Sequence, residues 1–333
     1  MTIAIKPWVA PATWDDYVLS HPEGTIYHSS KWLAVAETFG AQTRTLGLWQ
    51  DSKLVGVLPL VTRKMGPLVL GGSPLNGIST PHMGPLLEDQ QLMGEFLLGL
   101  EAYAKSGGID YLELAFPAEV FEELLTKAGY TLETRQTLRM DITSDEEALW
   151  RGMEVRCRNA TRKSEKSGVQ IEFCTTLESW LKDYMAMSQA LYERQGITSP
   201  FSETYFRTLW EEFYPDQLNV LVARYEGKAI AAALFPRFKN ACYYVDGVSL
   251  KEYNKFNPNN LVQWRFLQWA SVNGVTFYDM VGANIPSIAK FKASFGSHYH
   301  SYTYAYRSLN LRTRLARQAY SKYGAALKRL VSR

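Results

Sequence analysis

The segment GVTFYDMVGANIPSIAKFKASFG, Gly274 to Gly296, joins a strand pattern to a short basic and aromatic one. Val275 to Val281 is β-branched and aromatic between two glycines, which predicts a strand. Ala283-Asn284-Ile285-Pro286 turns the chain, and Lys290-Phe291-Lys292-Ala293-Ser294-Phe295-Gly296 follows. A cation and a ring just past a strand end would stand at the carboxyl edge of a sheet, a common place for ligands in α/β proteins. The same residues allow a plainer reading: a short helix that buries Phe291 and Phe295 (i, i+4) and leaves both lysines in water.

The joint that leads into this stretch occurs twice. Ala104 to Leu114 (AKSGGIDYLEL) and Ala270 to Met280 (ASVNGVTFYDM) carry Ala, Gly, aromatic, acidic and apolar residues in register. The hairpin pattern Asp51 to Leu60 likewise parallels Glu226 to Phe235. An internal duplication would make two copies of one α/β fold. Helix-to-strand joints share Gly and apolar residues in any case, so coincidence is the competing explanation.

A chain of 333 residues suits two domains better than one core. The expected division is 1–143, 144–306 and a basic C-terminal helix over 307–333. With 46% apolar, 21% charged and 13% aromatic residues, the composition is that of a globular protein with well-filled cores. Cys157, Cys174 and Cys242 form no CxxC pair, which suggests a reducing, cytoplasmic setting. No apolar run approaches the ~18 residues of a membrane span. The opening residues, with Asp15 and Asp16, lack the apolar centre of a secretion signal. The net charge is +3, yet the eight Arg and Lys residues from Arg307 onward have no acid among them and leave the remainder at −5.

Along the first half, Ser29 or Ser30 should cap a helix ending at Gly40, and Thr43–Trp49 with Lys53–Thr62 should form a hairpin. Gly66 to Pro85 reads as loop with one short strand. A helix Asp89–Lys105, a strand Tyr111–Leu114, a helix Ala118–Ala128 and a strand Thr137–Ile142 follow. Ser144-Asp145-Glu146-Glu147 is a capping box that starts a helix able to run to Ser167, with Gly168 as its stop. Helices ending near Gly196 and starting at Ser202 come next, then strands Asn219–Tyr225, Lys228–Phe238 and Cys242–Val248. A helix Asn259–Val272 enters the opening segment, and Tyr299–Arg307 is the last strand.

Taken together, these residues resemble the FemAB family, aminoacyltransferases built from two acetyltransferase-like (GNAT) domains. The resemblance spans nearly the whole chain. It rests on Tyr27-His28-Ser29-Ser30-Lys31-Trp32 with Phe39-Gly40, Leu58-Pro59-Leu60, the run Arg156 to Val169, Asn257-Pro258-Asn259-Asn260-Leu261-Val262-Gln263-Trp264, Tyr278-Asp279 and Phe291 to Gly296. The fold it implies is α/β (α+β): two tandem GNAT-like domains, each a mixed, mostly antiparallel sheet flanked by helices. The activity it implies is transfer of an aminoacyl group from aminoacyl-tRNA to an amine of a cell-envelope, peptidoglycan-type precursor, with no permanently bound cofactor. By resemblance Lys292 stabilises the oxyanion formed when the amine attacks the donor ester, an effect worth roughly 3–4 kcal/mol for a fixed donor in a closed site. Phe291 and Phe295 would lie beside the adenosine end of the donor. Two positions depart from the pattern of tRNA-dependent members: Ala36-Glu37 stands where a basic residue is usual, and Ala115-Phe116-Pro117 where an acid precedes the proline. Both bear on the acceptor more than on the transfer chemistry.

On an unbroken helix, Arg151, Arg158, Arg162 and Lys166 would fall within about 80° of one another, at 100° per residue. Such a face could track phosphates of a tRNA stem or a pyrophosphate-linked sugar, or be a solvated face paired with Glu154 and Glu165. Arg194 is a further acceptor candidate by family position, or a charge complementing its helix dipole. The alternative donor, acyl-CoA with an amino sugar as acceptor, needs a Gly-rich pyrophosphate loop. The nearest fragments, Arg44 to Trp49 and Arg63 to Leu68, lack its final small residue, and Pro67 removes an N–H. A non-catalytic GNAT pair serving envelope polysaccharide synthesis is the third reading. His298 and His300 share a strand face without a third ligand nearby, so no metal is expected. The basic tail suggests a docked helix first and contact with the inner face of a membrane second.

Overall fold

A computed structural model describes residues 3–319. In chain order the strands and helices are β1 (Ile3–Lys6), α1 (Pro11–Ser20), α2 (Ser30–Glu37), β2 (Gln42–Gln50), β3 (Lys53–Met65), β4 (Leu68–Ser73), β5 (Leu86–Leu87), α3 (Met93–Ser106), β6 (Tyr111–Ala115), α4 (Glu122–Lys127) and β7 (Thr131–Asp141). There follow α5 (Glu146–Gly152), α6 (Val155–Lys166), β8 (Gln170–Phe173), α7 (Leu181–Arg194), α8 (Glu203–Phe213), β9 (Leu218–Tyr225), β10 (Lys228–Phe238), β11 (Ala241–Tyr243), β12 (Asp246–Ser249), α9 (Pro258–Val272), β13 (Phe277–Asp279), α10 (Pro286–Ala293) and β14 (His298–Ser308).

Two compact units result: residues up to Arg135 together with those from Ser301 onward, and Gln136–His300. The boundaries expected at 143 and 306 therefore both shift, and strand pairing is the reason. β14 lies antiparallel to β6, from Tyr304 opposite Ala115 to Ser308 opposite Tyr111. β7 lies antiparallel to β13, from Phe277 opposite Asp141 to Asp279 opposite Arg139. Each unit thus takes in a strand from the other half of the sequence. The repeated joint falls at equivalent places, because α3 feeds β6, α9 feeds β13, and both strands run parallel to a neighbour (β4 and β11).

In the first unit the β2–β3 hairpin forms as expected, and Ser29 caps α2 by accepting from the Trp32 N–H. Ala36 packs into a small core with Ala41, Val61, Leu75 and Ile78. Glu37 accepts from the Thr43 N–H and hydroxyl. The two residues that depart from the family pattern at this point thus have structural work. The fragments nearest an acyl-CoA loop lie largely in strands, Arg44–Trp49 in β2 and Arg63–Met65 in β3. The tail continues as a helix over 311–319. It docks through Thr313, whose hydroxyl donates to the Asp110 carbonyl at 2.9 Å, and through Arg317, stacked 3.3 Å from the Tyr306 ring centroid. Leu311 and Leu315 are exposed. The remaining tail positions in the amphipathic reading, Lys322, Tyr323, Leu327, Lys328, Arg329, Leu330 and Arg333, lie outside the described residues.

The second unit is built around α9, whose Leu261, Val262, Trp264, Phe266, Leu267 and Ala270 are all buried. A helix apolar on most of its circumference belongs inside a domain. Phe266 stacks on Phe235 of β10 with centroids 4.0 Å apart, and truncating such a ring to Ala costs about 3–5 kcal/mol. Two sequence expectations are corrected here. The helix foreseen from Glu146 to Ser167 breaks between Gly152 and Val155, because the Glu154 N–H donates to the Ser294 carbonyl (2.9 Å) instead of continuing the helical ladder. The strand foreseen from Cys242 to Val248 divides at Tyr244-Val245 into β11 and β12.

Candidate active site

That division of the strand makes the site. β11 is bonded on both sides, antiparallel to β10 and parallel to β13. The last bond across to β13 runs from the Tyr244 N–H to the Asp279 carbonyl, 2.9 Å. Beyond it β12 follows β10, with Ala231 opposite Ser249 and Leu234 opposite Asp246. The chain after β13 instead turns to β7, with the Met280 N–H on the Leu138 carbonyl and the Ala283 N–H on the Gln136 carbonyl. The sheet splits into two lips: Tyr244 to Gly247 on one side, Val281 and Gly282 on the other.

Lys292 reaches this split from α10. It is only 7% exposed, so one of the two lysines expected in water is buried, while Lys290 is exposed. Its Nζ donates to the carbonyls of Val281 (2.5 Å) and Gly282 (3.0 Å) and stands 5.5 Å from the Tyr244 ring centroid. Val281 presents its carbonyl from φ +56°, a left-handed conformation that a β-branched residue adopts only under constraint. The strain is of order 1–3 kcal/mol. Charge-assisted bonds to the ammonium and the bond from the Val281 N–H to Asp279 Oδ1 (2.8 Å) hold it. Burial pushes the Lys292 ammonium down to about 8, against the stabilising charges of Asp279 and Asp246.

The two carboxylates differ in what surrounds them. Asp279 is fully buried and accepts from the Thr137 hydroxyl (2.5 Å), Arg139 Nε (3.0 Å) and the Val281 N–H. It is a fixed counter-charge. Asp246, on the opposite lip, accepts from the Tyr184 hydroxyl (2.7 Å) and the Gly247 N–H. Desolvation lifts its carboxyl to about 6, although Tyr184, Gly247 and Lys292 all favour the anion. A Cβ on Gly247 would lie 2.2 Å from the Tyr244 hydroxyl, so the tyrosine ring would have to shift to admit a side chain. From α9, buried Gln263 accepts from the Tyr278 hydroxyl at 2.7 Å and also hydrogen-bonds Tyr244.

The other expected site residues fare unevenly. Phe295 is wholly buried, edge-on to half-buried Phe291 at 5.2 Å, so it has no surface to offer a donor and serves the core. The four-cation face does not form. Arg151 stays on α5, paired with Glu147. Arg158 donates to the Arg151 and Met153 carbonyls and so caps the end of α5. Arg162 lies 5.0 Å from the Trp150 ring centroid in a cleft that Glu146, Glu147 and Glu165 also line. Lys166 is exposed near the end of α6, and Arg194 is exposed at the end of α7. The residues missed by sequence reasoning are Asp246, Tyr244 and Tyr184. The Asp246-Gly247 dipeptide inside an otherwise apolar strand was the available sign of a break.

Residues 152–293 match the sequence family described as "Acetyltransferase (GNAT) domain". The chain is 23% identical over 348 aligned residues to the Lipid II:glycine glycyltransferase of Staphylococcus saprophyticus, covering 81% of this chain and 82% of that protein. Among solved structures it is similar to FemX, with a TM-score of 0.72 and 16% identity over 91% of this chain and 97% of that one. It is also similar to the tandem GNAT protein from the clavulanic acid biosynthesis pathway, with a TM-score of 0.61 and 9% identity over 93% and 99% of the two chains.

Proposed function

We propose, for a chain that is a FemAB-like tandem-GNAT acyltransferase, that it transfers an aminoacyl group from aminoacyl-tRNA to an amine of a lipid-linked peptidoglycan precursor. Glycine and lipid II are the first donor group and acceptor to test, on the strength of the relatives' names. The observation that carries the chemistry is the Lys292 ammonium, buried where the sheet splits and anchored by two carbonyls. An amine attacking an ester develops negative charge on the carbonyl oxygen. A cation already desolvated and fixed stabilises that charge without reorganising, which is the largest contribution such a site can make. The rest is positioning: donor ester and amine must meet between the lips beside Lys292.

Among the described residues no helix is long and apolar enough to cross a membrane. For a lipid-linked acceptor, the docked tail helix with exposed Leu311 and Leu315 is a candidate surface contact.

The test is a donor titration at fixed salt, with charged tRNA and acetyl-CoA in parallel, followed by transfer of labelled glycine to lipid II. Binding of charged tRNA with label appearing in lipid II supports the proposal. Saturable acetyl-CoA binding with no response to charged tRNA overturns the donor and favours the N-acyltransferase reading. Binding of neither favours the non-catalytic pair.

A further inference from the structure

We propose that Asp246 is the base that takes the proton from the attacking amine and hands it to the leaving oxygen. The inference rests on amine acylation occurring in the split beside Lys292. An acceptor amine must lose a proton as its nitrogen bonds the donor carbonyl carbon, and a group within reach has to receive it. Asp279 is unsuited: Thr137, Arg139 and the Val281 N–H occupy it, and Arg139 is an ion-pair partner. His298 and His300 lie on β14, outside the split. Asp246 stands on the lip opposite the carbonyls that hold Lys292, and its carboxylate has acceptor capacity beyond Tyr184 and Gly247.

The step balances. The amine nitrogen bonds the ester carbon, the carbonyl electrons move to the oxygen beside Lys292, and the nitrogen's proton goes to Asp246. As the tetrahedral intermediate collapses, the bond from carbon to the ribose oxygen breaks and Asp246 returns the proton to that oxygen. No outside oxidant or reductant enters.

The surroundings push the two groups in opposite senses, the carboxyl up to about 6 and the ammonium down to about 8, so that base and cation coexist between those values. The groups facing Asp246 are Tyr184 and Tyr192 of α7, Tyr205 of α8, Tyr244 before β12, and Lys292 of α10. Each of the four tyrosines is held well above its ordinary value, with burial as the first cause, so none titrates in this range.

The experiment is the pH profile of single-turnover transfer for the wild type, Asp246→Asn and Tyr184→Phe, with thermal melts of each. Asp246→Asn should lower the rate by about 10²–10⁴-fold and abolish the acid limb near pH 6, with donor binding unchanged. Tyr184→Phe removes a bond that favours the anion, so its acid limb should move to higher pH. Transfer by Asp246→Asn at the wild-type rate, or with an unmoved acid limb, overturns the assignment while leaving the transfer reading standing. Should Asp246→Asn fail to melt cooperatively, an unshifted limb in Tyr184→Phe overturns it instead. No transfer by the wild type from any donor removes the transfer reading and this one together.

Discussion

The two units share a plan and diverge at one place, the end of the parallel strand pair. In the first unit β4 and β6 run together from Leu70–Tyr111 to Ser73–Leu114, and the loop that follows folds back over their ends. The Gly84 N–H bonds the Ser73 carbonyl (3.1 Å) and the Met83 N–H bonds the Ala115 carbonyl (3.0 Å), so main chain stitches the gap closed. In the second unit the corresponding pair, β11 and β13, parts after Tyr244, and side chains line the opening. The acid at the equivalent strand position persists, as Glu113 in one unit and Asp279 in the other, and both are buried. Glu113 accepts from the Asn76 N–H of the closing loop (2.6 Å), whereas Asp279 holds the turn that presents two carbonyls to Lys292. One acid thus staples a plug and the other supports a cation. The proposed chemistry lies in the second unit, where the GNAT-domain match also falls.

The sharpest way to break this contrast is Lys292→Met. Removing one fixed oxyanion donor should lower transfer by about 10²–10³-fold with a cooperative melt retained. Its stability should also lose a pH dependence. The native lysine releases its proton near 8 and the unfolded one near 10.5, so wild-type stability rises with pH across that window as the penalty for a buried cation fades. The Met variant should show no such rise.

Gly296→Ala tests how the second unit is held open. Gly296 has φ +91°, and a Cβ there would meet the Gly152 carbonyl oxygen at 3.0 Å, at the break between α5 and α6. We expect a loss of about 1–3 kcal/mol in a urea melt. An unchanged midpoint would mean that the close approach of Gly296 to Gly152 at the end of α5 does not constrain the unit.

Glu113→Gln probes the plugged copy. The amide oxygen can still accept from Asn76, so the expected cost is about 0.5–1.5 kcal/mol of stability and transfer near the wild-type rate. A collapse of transfer comparable to that of Lys292→Met would refute the division of labour. The smallest effect is assigned to Arg162→Ala. It should cost about 0.5–1 kcal/mol through its contact with Trp150, with little change in the affinity for charged tRNA.

Much of this was legible in the chain. The repeated joint AKSGGIDYLEL and ASVNGVTFYDM marks equivalent helix-to-strand turns, whereas Lys292 is singled out only by resemblance to the FemAB family, the residue pattern alone leaving both lysines in water. Three features were not. The exchange of β7 and β14 is a long-range pairing without local signature. The basic face on α5–α6 presumed a continuous helix, and only the bond from Glu154 to Ser294, remote in sequence, breaks it. Asp246 looked like a residue inside a strand because the parting of β12 from β13 depends on where the following turn goes, which Val281 in its strained conformation decides.

On the proposed mechanism the charged form of Lys292 stabilises the oxyanion, so loss of its proton should set the alkaline limb of transfer. The most direct measurement is the alkaline limb of single-turnover transfer in the wild type and in Lys292→Arg. The wild type should lose rate as pH rises through about 8, where burial places the Lys292 proton, and the arginine variant should keep its residual rate well above that pH. An alkaline limb that stays in place when Lys292 becomes arginine would mean that another group titrates, and the charge centre would have to be sought elsewhere.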